Sequence, residues 1–189
     1  MTIAYIPNLL SLTRIILTPV FVVLFWQPDA WLQLFAYVLF TLAALTDALD
    51  GYLARAYNVT STWGSFLDPL ADKILVTSGL VCLALKQLVP WYLIIIIVLR
   101  DGLVTWLKVR AQRRGLKLAT TWLAKTKTVA QFVALYLGFA ACYLQLQGNL
   151  SVTCHVGLDL IMLGVGLFTL YTGWDYACIY RQTVGNSRR

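Results

Sequence analysis

Apolar residues run along this chain in long blocks, not in the short alternations or narrow helical stripes of a soluble domain. Six blocks are long enough to cross a bilayer, at about 8–26, 31–56, 65–86, 89–110, 123–146 and 154–178. A hydrocarbon core of ~30 Å requires roughly 20 residues of helix, because every backbone polar group must be satisfied within the segment. Gln27-Pro28-Asp29 separates the first two blocks, and Gly148-Asn149-Leu150-Ser151 separates the last two. The pattern predicts an all-α polytopic membrane protein with six transmembrane helices, forming one integral-membrane domain over residues 1–189. Pro7 and Asn8 lead straight into a long span carrying Arg14, without the n-region, short apolar core and small-residue site of a secretory signal, so no cleaved leader is expected.

Composition sharpens this reading. The chain is 60% hydrophobic and 12% charged, whereas soluble domains carry about 25% charged residues. It has too little charge to cover its apolar surface in water. Most of the basic residues lie beside the apolar blocks or near their ends, so the net charge of +7 fits an anionic leaflet or a phosphorylated substrate, not a nucleic-acid groove. Lys108, Arg110, Arg113, Arg114 and Lys117 gather between the fourth and fifth spans, and Arg181, Arg188 and Arg189 lie on the tail. Positive-inside asymmetry then places both termini and the even-numbered loops in the cytoplasm. Cys82, Cys142, Cys154 and Cys178 are widely spaced within apolar stretches and fit packing, not a zinc site or a disulfide framework. His155 stands alone and has no companion ligand nearby in sequence.

The acidic residues are all Asp, with no Glu. Two groups stand out: Asp47, Asp50, Gly51, Ala54 and Arg55, then Gly64, Asp68 and Asp72. On a helix the first five fall within an arc of roughly 140°, and the last three are spaced by four residues along one face. The predicted topology sets both groups in the cytoplasmic half of adjacent antiparallel helices. Four carboxylates so placed repel one another and are costly to desolvate. Divalent cations relieve both costs, and all-oxygen ligation favours Mg²⁺ or Mn²⁺ over zinc. Such a site suits phosphoryl or phosphatidyl transfer, in which cations neutralise a diphosphate and a carboxylate accepts a proton from an attacking hydroxyl. Gly51, Gly64 and Ala54 permit close approach of either a ligand or a neighbouring helix. A transporter is a rival from another class, but its usual internal repeats and interrupted helices are not visible in this sequence.

These eight residues match D-x2-D-G-x2-A-R-x8-G-x3-D-x3-D at every fixed position. The chain thereby resembles the CDP-alcohol phosphatidyltransferases, over most of its length from Pro7-Asn8-Leu9 and Arg14 onward. The resemblance implies a six-helix membrane fold and one or two metal ions. It implies that Asp47, Asp50, Asp68 and Asp72 bind metal, with Asp72 also the general base. Arg55 would support the diphosphate, and Gly51, Ala54 and Gly64 would shape the nucleotide pocket. The acceptor alcohol would attack the β-phosphorus of a CDP-lipid and release CMP. A homodimer in a bacterial inner membrane, with its active site facing the cytoplasm and no nucleic-acid partner, is what the resemblance leads one to expect.

Within that family the short chain and its second half are most similar to the phosphatidylglycerophosphate synthases, which use CDP-diacylglycerol and glycerol 3-phosphate. Arg100, Lys108, Arg110, Lys125 and Lys127 offer cations for an acceptor phosphate, and Lys125-Thr126-Lys127-Thr128 resembles the synthases' G-K-x-K-T segment. There are departures. Asp101 stands where Glu is usual, Lys108 where Arg is usual, and Ala124 where Gly is usual. The Arg100-Asp101 pair is also similar to cardiolipin synthases of the same family, whose acceptor is phosphatidylglycerol. That is the alternative acceptor reading.

Overall fold

The computed structural model describes residues 6–56, 64–115, 122–149 and 151–186. The described residues form helices and turns with no strand: α1 (Ile6–Phe25), α2 (Ala30–Ala56), α3 (Gly64–Leu85), α4 (Trp91–Gln112), α5 (Trp122–Leu146) and α6 (Val152–Asn186). Each expected apolar block corresponds to one helix, and the main difference in bounds is at the end of α6. That helix runs 35 residues, about 52 Å at 1.5 Å per residue, well beyond the thickness of a hydrocarbon core. Two helical stretches among the described residues, Lys125–Leu146 and Val152–Val184, are long and apolar enough to cross a membrane. Shorter apolar helical stretches cover Leu12–Phe25, Ala30–Thr46 and Lys73–Leu85. Six spans were expected, and two stretches of that length and apolarity are present among the described residues. In α4 the apolar run is interrupted by Arg100, Asp101, Lys108 and Arg110.

The boundaries have local causes. Asp29 caps α2, its Oδ1 accepting from Trp31 N–H at 2.8 Å, which satisfies one of the orphan donors of a helix start. At the end of α5, Asn149 N–H donates to Leu144 O at 2.9 Å and Gly148 N–H to Gln145 O at 3.1 Å. Gly148 has φ +72°. This 6→1 and 5→2 pair is a Schellman stop, and its left-handed residue favours glycine. Both breaks fall where the sequence interrupts its apolar blocks.

The chain divides into two compact units, Met1–Leu83 with Cys142–Leu150, and Ala84–Ala141 with Ser151–Arg189. In the first, α1 packs on α2 through an aromatic cluster. Phe21 lies 5.8 Å from Phe25 and 5.1 Å from Phe40, centroid to centroid, and Phe25 lies 6.1 Å from Tyr37. Gln33 reaches back across the turn to donate to Phe25 O, and Tyr37 donates in turn to Gln33 Oε1. Burying polar groups in this way is tolerable because they satisfy one another.

In the second unit α4 packs on α6, with glycines on the α6 side of the seam. A Cβ at Gly166 would stand 2.7 Å from Leu93 Cδ1, and one at Gly173 would stand 3.0 Å from Arg100 Cγ. Both pairs advance by seven residues on both helices, so α4 and α6 run parallel and share a close seam. Small residues of this kind let helices approach where no hydrophobic drive between them exists. The outward faces of these helices are apolar, with Leu99, Trp106, Leu160, Leu167 and Trp174 all exposed, while Lys127, Gln131, Thr169 and Thr172 are buried. Large apolar side chains across the outward faces, around a core that also holds polar groups, match a lipid solvent.

Candidate active site

The aspartate motif lies on two continuous helices. Asp47, Asp50, Gly51, Ala54 and Arg55 occupy the last turns of α2, which remains helical through Ala56. Gly64 opens α3, placing Asp68 and Asp72 one and two turns into it. The helical register that puts each group on one face is therefore present in the backbone. The side chains of all eight residues lie outside the described residues, as does the segment 57–63. Among the described residues no three His, Cys, Asp or Glu are grouped to hold a metal.

The basic residues of the second half are described in more detail, and they do not form one set. Arg100 on α4 is buried, with 9% of its side chain exposed, and Lys127 on α5 more deeply so, at 4%. Both meet the carboxylate of Asp101. Arg100 Nη1 donates to Asp101 Oδ1 at 3.0 Å, and Lys127 Nζ donates to Oδ1 at 3.0 Å and Oδ2 at 3.1 Å. An ion pair in a low-dielectric interior is tolerable when geometry and extra hydrogen bonds offset desolvation, and the shared carboxylate supplies both. Arg100 is not fully satisfied by it. Its Nε and Nη2 are buried and find no hydrogen-bond partner among the described residues. Leaving such donors dry costs about 1–3 kcal/mol, more for a charged group.

Tyr176 on α6 completes the cluster. It is fully buried. The Arg100 guanidinium carbon lies 5.9 Å from its ring centroid and Lys108 Nζ lies 5.3 Å away, both within cation–π range. Its hydroxyl is buried and also finds no partner among the described residues. The stem of Arg100 meanwhile lines an open apolar groove of about 750 Å³ with Leu99, Leu103, Leu170, Tyr171 and Trp174. The side chain thus lays its methylenes along apolar surface while its head is buried among polar groups.

Arg110 and Lys125 are placed differently. Arg110 is exposed and stacks on Trp106, one turn back, at 4.9 Å. It lies ten residues from Arg100 and two from Lys108, which turns it to the opposite side of α4 from Lys108. Lys125 is exposed at the start of α5, two residues and some 200° from buried Lys127. Of the five cations expected at an acceptor phosphate, the structure brings Arg100, Lys108 and Lys127 around Asp101 and Tyr176. The other two lie on outward faces. The sequence carried no spacing signal for Tyr176, because nearly fifty residues separate it from the nearest of these cations.

The model of the CDP-alcohol phosphatidyltransferases matches residues 4–171. The chain belongs to this family. It is 34% identical over 190 residues to the probable phosphatidylglycerophosphate synthase of Mycobacterium tuberculosis, covering 99% of this chain and 87% of that protein. It is 33% identical over 183 residues to the CDP-diacylglycerol–glycerol-3-phosphate 3-phosphatidyltransferase of Bacillus subtilis, covering 90% of this chain and 92% of that protein. The enzyme of the same name in Salmonella typhimurium is 40% identical over 141 residues, 69% of this chain and 74% of its own length. As a family member with two helices fit to cross a bilayer, the chain is a membrane protein. The matched stretch contains both halves of the aspartate motif and the Arg100–Asp101–Lys127 network, and it stops before Tyr176.

Proposed function

We propose that this chain transfers the phosphatidyl group of CDP-diacylglycerol to glycerol 3-phosphate, giving phosphatidylglycerophosphate and CMP. The observation that carries the choice of acceptor is the part-buried, mixed-sign cluster of Arg100, Lys108, Lys127 and Asp101 beside Tyr176. A small phosphate monoester brings two negative charges and several acceptor oxygens. It would satisfy the open Arg100 edge and the Tyr176 hydroxyl together. The relatives' names point to the same acceptor.

The chemistry is assigned to the aspartate helices. Asp47, Asp50, Asp68 and Asp72 would hold Mg²⁺ or Mn²⁺, as one or two ions, which neutralise the diphosphate and ease departure of the nucleotide. Arg55 would add a planar fork to the diphosphate. Gly51, Ala54 and Gly64 would leave room for the cytidine nucleotide. Asp72 would accept the proton of the acceptor hydroxyl as its oxygen forms a bond to the β-phosphorus and the bond to CMP breaks. Arg100, Lys108 and Lys127 would grip the acceptor phosphate, holding that hydroxyl in range. Arg110 and Lys125, on outward faces, would contribute mainly by attracting anions to the surface. Six membrane crossings with this site at the cytoplasmic face, in a bacterial inner membrane, complete the reading.

Purified protein is incubated with CDP-diacylglycerol, Mg²⁺ or Mn²⁺, and either glycerol 3-phosphate or phosphatidylglycerol, and CMP and the lipid product are measured. Phosphatidylglycerophosphate formed only with glycerol 3-phosphate is the expected result. Cardiolipin formed instead would retain the phosphatidyl transfer and overturn the acceptor.

A further inference from the structure

Arg100 presents two different edges to its surroundings. Its Nη1 side is committed, donating to Asp101 Oδ1 at 3.0 Å. Its other side, the Nε–Nη2 edge, is buried and unpartnered among the described residues. That edge is the planar fork that matches two oxygens of a phosphate at once, which a lysine cannot imitate. Two contacts keep the guanidinium from turning freely. Its stem passes over Gly173, where even a Cβ would stand 3.0 Å from Arg100 Cγ. Its head lies 5.9 Å from the ring of Tyr176. The remaining freedom is rotation about the terminal torsions, and the bond to Asp101 stops it.

Asp101 is in turn fixed by a second cation from another helix. Lys127 Nζ donates to both of its oxygens, at 3.0 and 3.1 Å. The carboxylate thus sits between two cations that the acceptor phosphate needs, without standing on the edge that the phosphate would take. Its negative charge also offsets one positive charge of the cluster, so that the three cations do not face one another unopposed.

We infer that Asp101 is a positioning residue of the acceptor site. It orients Arg100 so that the Nε–Nη2 fork faces an incoming phosphate monoester, and it holds Lys127 beside that fork. This rests on the acceptor reading given above. It assigns the acidic residue a role in acceptor binding that charge alone would not give it, since a carboxylate by itself repels a phosphate.

The test compares wild type, Asp101→Asn, Asp101→Glu and Arg100→Lys in detergent or nanodiscs, with melting temperature measured alongside the kinetics. Asp101→Asn is expected to raise KM for glycerol 3-phosphate about tenfold or more, with kcat and the KM for CDP-diacylglycerol within about threefold of wild type. Asp101→Glu keeps the charge and is expected to recover most of the loss. Arg100→Lys, which keeps a cation but loses the fork, is expected to behave like Asp101→Asn. An unchanged or lowered acceptor KM in Asp101→Asn overturns the inference. So does a parallel rise in both KM values, or a Glu variant no better than Asn. A wild type that makes no phosphatidylglycerophosphate at all removes the acceptor reading and this inference with it. An active wild type with an indifferent Asp101→Asn removes the inference alone.

Discussion

The two charged regions of this protein differ in the signs of the charge that they gather. The end of α2 and the start of α3 carry four aspartates with Arg55 as the motif's one cation, an excess of like charge within the motif. The α4–α6 cluster mixes signs, so that Asp101 is shared by Arg100 and Lys127 within 3.1 Å. Like charges in a low-dielectric place call for a partner from outside, whereas mixed charges can be held ready before any ligand arrives. On the proposed reading the first region would take a divalent cation to function, whereas the second is preorganised by its own side chains. Preorganised donors lose little entropy on binding, which suits a small soluble acceptor. The other substrate is already concentrated in the membrane.

That contrast yields tests of decreasing size. Removing divalent cations with a chelator is expected to abolish CMP release, and adding back Mg²⁺ or Mn²⁺ to restore it. Undiminished activity after exhaustive chelation would mean that the aspartates act without metal and would end the contrast. Asp72→Asn is expected to cut turnover by about 10³-fold, in the range of losing a general base, with little change in melting temperature. Turnover near wild type would take the base away from Asp72. Lys127→Ala is expected to raise KM for glycerol 3-phosphate by about tenfold while KM for CDP-diacylglycerol changes little, as follows from loss of one charged hydrogen bond to the phosphate. Equal rises in both values would place Lys127 outside an acceptor site. Arg110→Ala should be the mildest, within about twofold on either KM, because its guanidinium stacks on Trp106 at an exposed face. A tenfold acceptor effect there would show that the outward cations belong to the site after all.

Much of this molecule could be read before any coordinates. The break after the first helix was visible as Gln27-Pro28-Asp29, because Asp29 caps α2. The break after the fifth was visible as Gly148-Asn149, because Gly148 takes the left-handed φ that ends α5. The aspartate spacing was legible for a related reason: on a helix, sequence separation converts directly into angle. The extent of α6 was less legible. Its residues past 178 are too mixed in polarity for an apolar block, yet they remain helical to Asn186. Among the described residues two helical stretches meet the length and apolarity of a crossing helix, and in α4 the apolar run is interrupted at mid-helix by Arg100 and Asp101.

The chain's periodicity and spacing by themselves determined that it is helical, that it is suited to lipid and that it carries the family's aspartate motif, because each of these is a local property of one helix. Only the tertiary structure decided which cations lie together. Arg100, Lys108, Arg110, Lys125 and Lys127 look equivalent along the chain, but packing buries Lys127, half-buries Arg100 and Lys108, and leaves the other two exposed. It also brought Tyr176 from the far end of the chain to lie within 5.3 Å of Lys108 Nζ. The physical reason is the glycine seam between α4 and α6, where Gly173 leaves room for the Arg100 stem. No spacing rule within one helix can encode a contact made between two.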